Sequence, residues 1–163
     1  MRILIVGVCS LLGGCALSTS NDVQPRPLVK PGDVYIARRG GACLGSCPDY
    51  DVYIFKDGRV AFRGNRFTAA DGLRTKRIRR DQFQKLQAAI QESNFFSAPE
   101  PTECLTDQPA VSIEVNFGEG VRQRSVDSGC RSDRENLWPT VDMIDEIAGV
   151  GRWASQRGSW SHR

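Results

Sequence analysis

Apolar and polar side chains that alternate at period two constrain this chain more than any other feature. Val111, Ile113, Val115 and Phe117 alternate with Ser112, Glu114 and Asn116, the pattern of a strand with one buried face. Gly118-Glu119-Gly120 turns that strand, and Val121 to Val126 returns. The first half carries the same plan. Within Tyr50 to Phe55, Tyr50, Val52 and Ile54 share one face, with Tyr53 and Phe55 on the other. Asp57-Gly58 is the strongest kind of short-range hairpin signal, and Arg59 to Arg63 returns with Val60 and Phe62 together. Asp33 to Arg38 alternates weakly, Val34 with Ile36, and is the expected first strand. Gly64 to Lys76 has no clear period.

Each hairpin is followed by a helical period. Asp81 is the expected N-cap, with Gln84 three residues on. Phe83, Leu86 and Ile90 fall at i, i+3 and i+7 with Ala89 beside them, a one-sided amphipathic helix expected to end near Asn94-Phe95-Phe96. Pro99 and Pro101 exclude its continuation. Pro139 suits the first turn of a second helix, in which Leu137, Val141, Ile144 and Ala148 recur at i, i+4, i+7 and i+11. Gly149 and Gly151 are the expected stops, and Trp153 is expected to fold back on the core. The order strand, hairpin, helix, hairpin, helix predicts an α+β fold: one antiparallel sheet of about five strands with both helices on one face. The two hairpin–helix units repeat in pattern only, without residue identity. Tyr50, Tyr53 and Phe55 place aromatics on both faces of the sheet, so a face left uncovered would be a candidate binding surface.

Ahead of these elements, Arg2 precedes an apolar run, Ile3 to Leu12, and then Gly13-Gly14-Cys15. The run is about ten residues, too short for a bilayer, which needs ~20. A basic start, an apolar stretch and small residues read as a secretory signal. Leu12-Gly13-Gly14-Cys15 resembles the lipobox of a bacterial lipoprotein, with Gly13 where Ala or Ser is commoner. The resemblance implies a signal peptide over 1–14, lipidation with palmitate-type chains at Cys15, and a membrane anchor in the cell envelope. Cys9 has too short an apolar stretch before it to serve instead. Asp after the lipidated cysteine is the enterobacterial signal for inner-membrane retention; Ala16 stands there, which points to the periplasmic face of the outer membrane. Ser18, Ser20, Asn21, Pro25, Pro27 and Pro31 exclude regular structure, so 15–32 reads as a tether. About 17 flexible residues span roughly 20–25 Å. The folded domain is expected over 33–153 and a disordered tail over 154–163. Lys+Arg 22 against Asp+Glu 19 is too weak a basic balance for a nucleic-acid partner.

Four further cysteines are Cys43, Cys47, Cys104 and Cys130. An even number in an exported chain reads as disulfides. Three connectivities are possible, and local logic favours Cys43–Cys47 and Cys104–Cys130, because the second links the two ends of a hairpin. Loop entropy gives that closure about 3.5 kcal/mol and the short ring about 2 kcal/mol. Cys43-Leu44-Gly45-Ser46-Cys47-Pro48-Asp49-Tyr50, followed by Val52-x-Ile54 and Asp57-Gly58, resembles an uncharacterised bacterial domain family with the signature Cys-Phe-Gly-Thr-Cys-Pro-x-Tyr. Leu44 and Ser46 depart mildly from it. Thr106-Asp107-Gln108-Pro109, Gly129-Cys130, Ile144-Asp145 and Trp153 extend the resemblance over residues 33 to 153. That family is common in exported proteins and lipoproteins, so the resemblance implies a fold boundary and no activity.

Two segments offer chemistry. Cys43-x-x-x-Cys47-Pro48 is similar to the C-x-x-x-C-P of copper chaperones for cytochrome oxidase assembly, where two thiolates bind copper(I). Those proteins use a thioredoxin fold and a distant histidine, whereas this chain's one histidine, His162, lies in the expected tail, and thioredoxin-type redox motifs use C-x-x-C. A structural disulfide is the favoured reading, and a four-cysteine zinc site suits an exported chain poorly. Arg74, Lys76, Arg77, Arg79 and Arg80 form the one charge run, just before a helix whose dipole opposes positive charge. Either they face solvent, or they contact an anionic envelope component such as lipid headgroups, lipopolysaccharide phosphates or peptidoglycan carboxylates. G-x-S-x-G, H-E-x-x-H and phosphate loops are absent from the sequence, and no Ser-His catalytic pairing is read from it, because its one histidine, His162, lies in the expected tail. Asp142, Asp145 and Glu146 are expected on the solvated face of the last helix, and Asp107 in an Asx-turn. The expectation is a non-catalytic binding or scaffolding domain without metal or cofactor; the alternative is copper(I) or thiol–disulfide chemistry at Cys43 and Cys47.

Overall fold

A computed structural model describes residues 33–41, 43–99, 101, 104–105, 108–130 and 137–155. The segments read as a signal peptide (1–14) and as a lipidated tether (15–32, with Cys15), Thr106-Asp107 and residues 156–163 lie outside the described residues. The elements are β1 (Val34–Gly40), β2 (Asp49–Phe55), β3 (Arg59–Arg66), β4 (Gly72–Arg77), α1 (Arg80–Glu92), β5 (Ala110–Asn116), β6 (Val121–Asp127), α2 (Trp138–Ala148) and the short α3 (Gly151–Ala154). All strands join one antiparallel sheet in the order β4-β3-β2-β1-β5-β6.

The α+β class and single antiparallel sheet match the sequence expectation, but among the described residues the sheet has six strands and a third, short helix follows α2. The added strand, β4, lies in the stretch without a period. It is an edge strand whose side chains are exposed or half-buried on both faces, so backbone pairing with β3 rather than side-chain alternation forms it. Arginine and lysine on this edge also discourage pairing with other strands. Gly149 ends α2 in a left-handed conformation, φ 64°, whereas Gly151 opens α3 instead of acting as a stop. Ala154 is thereby helical and buried, which moves the end of the folded part beyond 153. At α1, Arg79 rather than Asp81 is the N-cap. Its backbone N–H donates to Gln82 Oε1 at 3.0 Å, while the Asp81 carboxylate accepts two bonds from the Arg79 guanidinium at 2.9 and 2.8 Å.

One face of the sheet is apolar. Ile36, Val52, Ile54, Val60, Phe62, Val111, Ile113 and Val115 share it by register and are buried. α1 contributes Leu86 and Ile90, and α2 contributes Val141, Ile144 and Ala148. The helices pack on each other as well as on the sheet. Trp153 folds back as expected: its ring lies 5.4 Å from that of Phe62, and its carbonyl accepts from the Ala70 N–H at 3.0 Å. A β-bulge between Val34 and Ile36 turns Tyr35 to α1, 5.1 Å from the Phe83 ring. Among the described residues, the opposite face carries no helix. Arg39 over the Tyr53 ring and Arg59 over the Phe55 ring cover part of it. No described helix is long and apolar enough to cross a membrane.

Register sorts the loops between two ends. The first strand begins at the lower end, with Val34 beside Phe55, and finishes at the upper end, with Gly40 beside Val111. The loop carrying Cys43 and Cys47 joins β1 to β2 at the upper end, and Cys104 and Cys130 flank β5 and β6 there. The Asp57-Gly58 turn, the Gly118–Gly120 turn and the start of α1 are at the lower end.

Candidate functional site

A cleft of about 830 Å³ opens at the upper end between the sheet and α2. Its floor is Arg38, Tyr50 and Asp145; Cys47, Pro48, Pro109 and Trp138 form part of its walls. Arg38 follows Ile36 by two residues on the helix-covered face, paired with Val52 and Ile113, and only 4% of it is exposed. A charge at such a place needs partners. The guanidinium donates to the Tyr50 carbonyl at 3.0 Å and to the Gly40 carbonyl. Its carbon stands 3.8 Å from the centre of the Tyr50 ring, within cation–π range. Nε is 3.5 Å from Asp145 Oδ1. The other Asp145 oxygen accepts the Tyr50 hydroxyl at 2.8 Å. Burial, and then the negative charge of Asp145, pushes the Tyr50 phenol far above its usual range.

Backbone shape makes room for this group. Gly41 has φ +134°, and a Cβ there would sit 2.9 Å from the Pro48 carbonyl oxygen and 3.8 Å from Arg38 Nη1. No larger residue fits. Beyond it, Cys43 and Cys47 form a disulfide with Cα atoms 5.7 Å apart. This ring holds Leu44 out into solvent, 92% exposed. On the other side, Cys104 and Cys130 form the second disulfide. The expected connectivity is therefore the one present. Leu105 N–H donates to the Gly129 carbonyl at 3.1 Å, and Trp138 Nε1 donates to the Asp127 carbonyl at 2.8 Å. Trp138 also lines a second cavity of about 250 Å³ beside Cys104 and Cys130.

Sequence reasoning missed two floor residues. Arg38 read as the polar end of a strand, and Asp145 as solvated. Asp142 and Glu146 are exposed as expected, but Asp145 turns inward and its side chain is only 22% exposed. A signal was present: Val141, Ile144, Asp145 and Ala148 fall at i, i+3, i+4 and i+7, which puts a carboxylate inside the apolar stripe.

The basic run is divided rather than gathered. Arg74 and Lys76 lie on the helix-covered side of β4, opposite Phe62 and Val60. Lys76 Nζ donates to the Ile147 carbonyl at 3.2 Å, near the C-terminal end of α2; burial, then Arg152, lowers its pKa. Arg77 Nη1 donates to the Asp57 carbonyl at 3.0 Å, Arg79 holds Asp81, and Arg80 opens α1. Among the described residues, no group of three or more His, Cys, Asp or Glu is placed to hold a metal ion.

These features define a disulfide-braced α+β domain with a cleft at one end of an open antiparallel sheet. The chain belongs to the DUF6438 family, a domain of unknown function, whose family model matches residues 34–148. No curated protein matches the chain.

Proposed function

We propose that this chain is a lipid-anchored protein of the bacterial cell envelope whose domain binds a partner in the upper cleft and performs no catalysis. The way the floor uses its polar groups carries this reading. Arg38, Tyr50 and Asp145 are engaged with one another and with backbone carbonyls. A guanidinium fixed in this way holds shape. A phenol kept protonated and already donating to a carboxylate is poorly poised as a base or nucleophile near neutral pH. The walls supply contact instead: Trp138, Pro48, Pro109 and, beside the rim, the projecting Leu44. Leu12-Gly13-Gly14-Cys15 supports the anchor, and Ala16 the periplasmic face of the outer membrane.

A photo-crosslinking residue at Gln108, on the cleft wall, should give a discrete adduct in living cells, and the same residue at exposed Thr75 should not. Equal labelling at both positions would contradict the cleft as the binding surface. The Cys15→Ala variant should remain an unlipidated precursor, and fatty-acid labelling of that variant would sink the anchor. Copper(I) or thiol–disulfide chemistry at Cys43 and Cys47 is the rival reading. Copper(I) needs both as thiolates, whereas here they are joined and shape the rim. Reduced Cys43 and Cys47 in protein taken from cells, or one copper(I) per chain, would favour the rival.

A further inference from the structure

We infer that the lower end of the sheet docks on an anionic lipid bilayer, so that the cleft at the upper end points away from the membrane. The inference rests on the lipid anchor at Cys15. Three placements carry it. First, the chain enters the domain at the lower end: the Asp33 carbonyl accepts from the Lys56 N–H at 3.1 Å, and β1 begins at Val34 beside Phe55. Residues 15–32 join that point to Cys15.

Second, exposed cations gather around that entry. Lys56 and Arg59 flank the Asp57-Gly58 turn, Arg77 is the register partner of Arg59, and Arg79 and Arg80 follow at the start of α1. Asp33, Asp57 and Asp81 offset part of this charge, and Glu119 and Arg122 on the neighbouring turn cancel each other. An excess of positive charge remains, and four of the five cations are arginines, whose planar forks suit phosphate oxygens. The pairs with Asp57 and Asp81 are solvent-exposed, so a headgroup phosphate can replace either carboxylate at little cost.

Third, the lining of the cleft at the upper end has the opposite balance. Asp142, Asp145 and Glu146 line the cleft with Arg38. The seven residues of β1 separate the two ends by about 20 Å. A bilayer that attracts the lower end therefore leaves the cleft open.

The test uses the full lipidated chain in vesicles of phosphatidylcholine with and without phosphatidylglycerol, with a fluorophore at position 121 (lower end) or 44 (upper end), both exposed. At low salt, nitroxide-labelled headgroups should quench position 121 at least about twofold more than position 44 in the anionic vesicles. That ratio should fall to about one in pure phosphatidylcholine, in about 1 M salt, and in the Arg77→Glu, Arg79→Glu, Arg80→Glu triple variant. Equal quenching in anionic vesicles, stronger quenching at position 44, or a ratio indifferent to lipid charge and to salt would overturn the docking surface. So would retention by peptidoglycan or lipopolysaccharide in place of the vesicles. The salt series uses the native sequence and holds even if the triple variant misfolds. Fatty-acid labelling at Cys15 reads the anchor alone: its absence sinks the anchor, while a ratio of one in labelled protein sinks only the docking surface.

Discussion

The two ends of the sheet use the same pair of residue types in opposite ways. At the upper end, Arg38 meets Asp145 inside the domain, with side chains 5% and 22% exposed. At the lower end, Arg79 meets Asp81 and Arg77 meets Asp57 in water, with the arginine side chains 73% and 67% exposed. A buried pair is stable only while complete, because removing one partner strands the other charge in a poor solvent. An exposed pair is screened and exchangeable. The upper end therefore holds a fixed shape, and both disulfides brace it. The lower end keeps its charges available.

The largest expected effect comes from breaking the upper pair. Arg38→Met should cost about 3–5 kcal/mol in urea denaturation, and Arg38→Met with Asp145→Leu should recover much of that loss. A small cost for the single change would erase the contrast between the ends. Disulfide removal should be graded. Replacing Cys104 and Cys130 by serine should cost about 3.5 kcal/mol and replacing Cys43 and Cys47 about 2 kcal/mol, both read as denaturation midpoints.

Two tyrosines differ in the same way between the ends. Tyr50→Phe removes a hydrogen bond to a carboxylate and should cost about 1.5–3 kcal/mol. Because folding raises the Tyr50 phenol above its usual value of 10.0, its contribution is full below that pH and is lost as pH rises beyond it. The native domain should lose stability above about pH 10 more steeply than Tyr50→Phe. Tyr35, by contrast, is buried at the lower end with no hydrogen-bond partner for its hydroxyl. Tyr35→Phe should be neutral or stabilising by about 1 kcal/mol. Smallest of all, Arg77→Gln and Arg79→Gln should leave the denaturation midpoint unchanged. A clear loss there would mean that the lower pairs are structural.

Much of this fold was legible because side-chain period and backbone agree. Val111 to Asn116 and Tyr50 to Phe55 alternate and pair, and Gly58 adopts the positive φ, 80°, that its turn requires. The helical stripes at Leu86 and Ile90 and at Val141 and Ile144 became the core as expected. The fourth strand was hidden because an edge strand buries little of either face; Lys76 lies on the core side yet extends to a helix carbonyl. Half the site was legible for a related reason. The sequence left three cysteine connectivities open, and chain proximity, which it carries directly, favoured the pairing that is present. Arg38 and Asp145 are polar residues at core positions, visible only when each is set against the apolar face it interrupts. The pairing between them depends on α2 lying over β1 and β2, a tertiary fact that no local period encodes.

The most direct measurement places a photo-crosslinking residue at position 121 or position 44 of the full-length chain in living cells. Docking by the lower end should give phospholipid adducts from position 121 and none from position 44. Lipid adducts from position 44, or their absence from position 121, would contradict it.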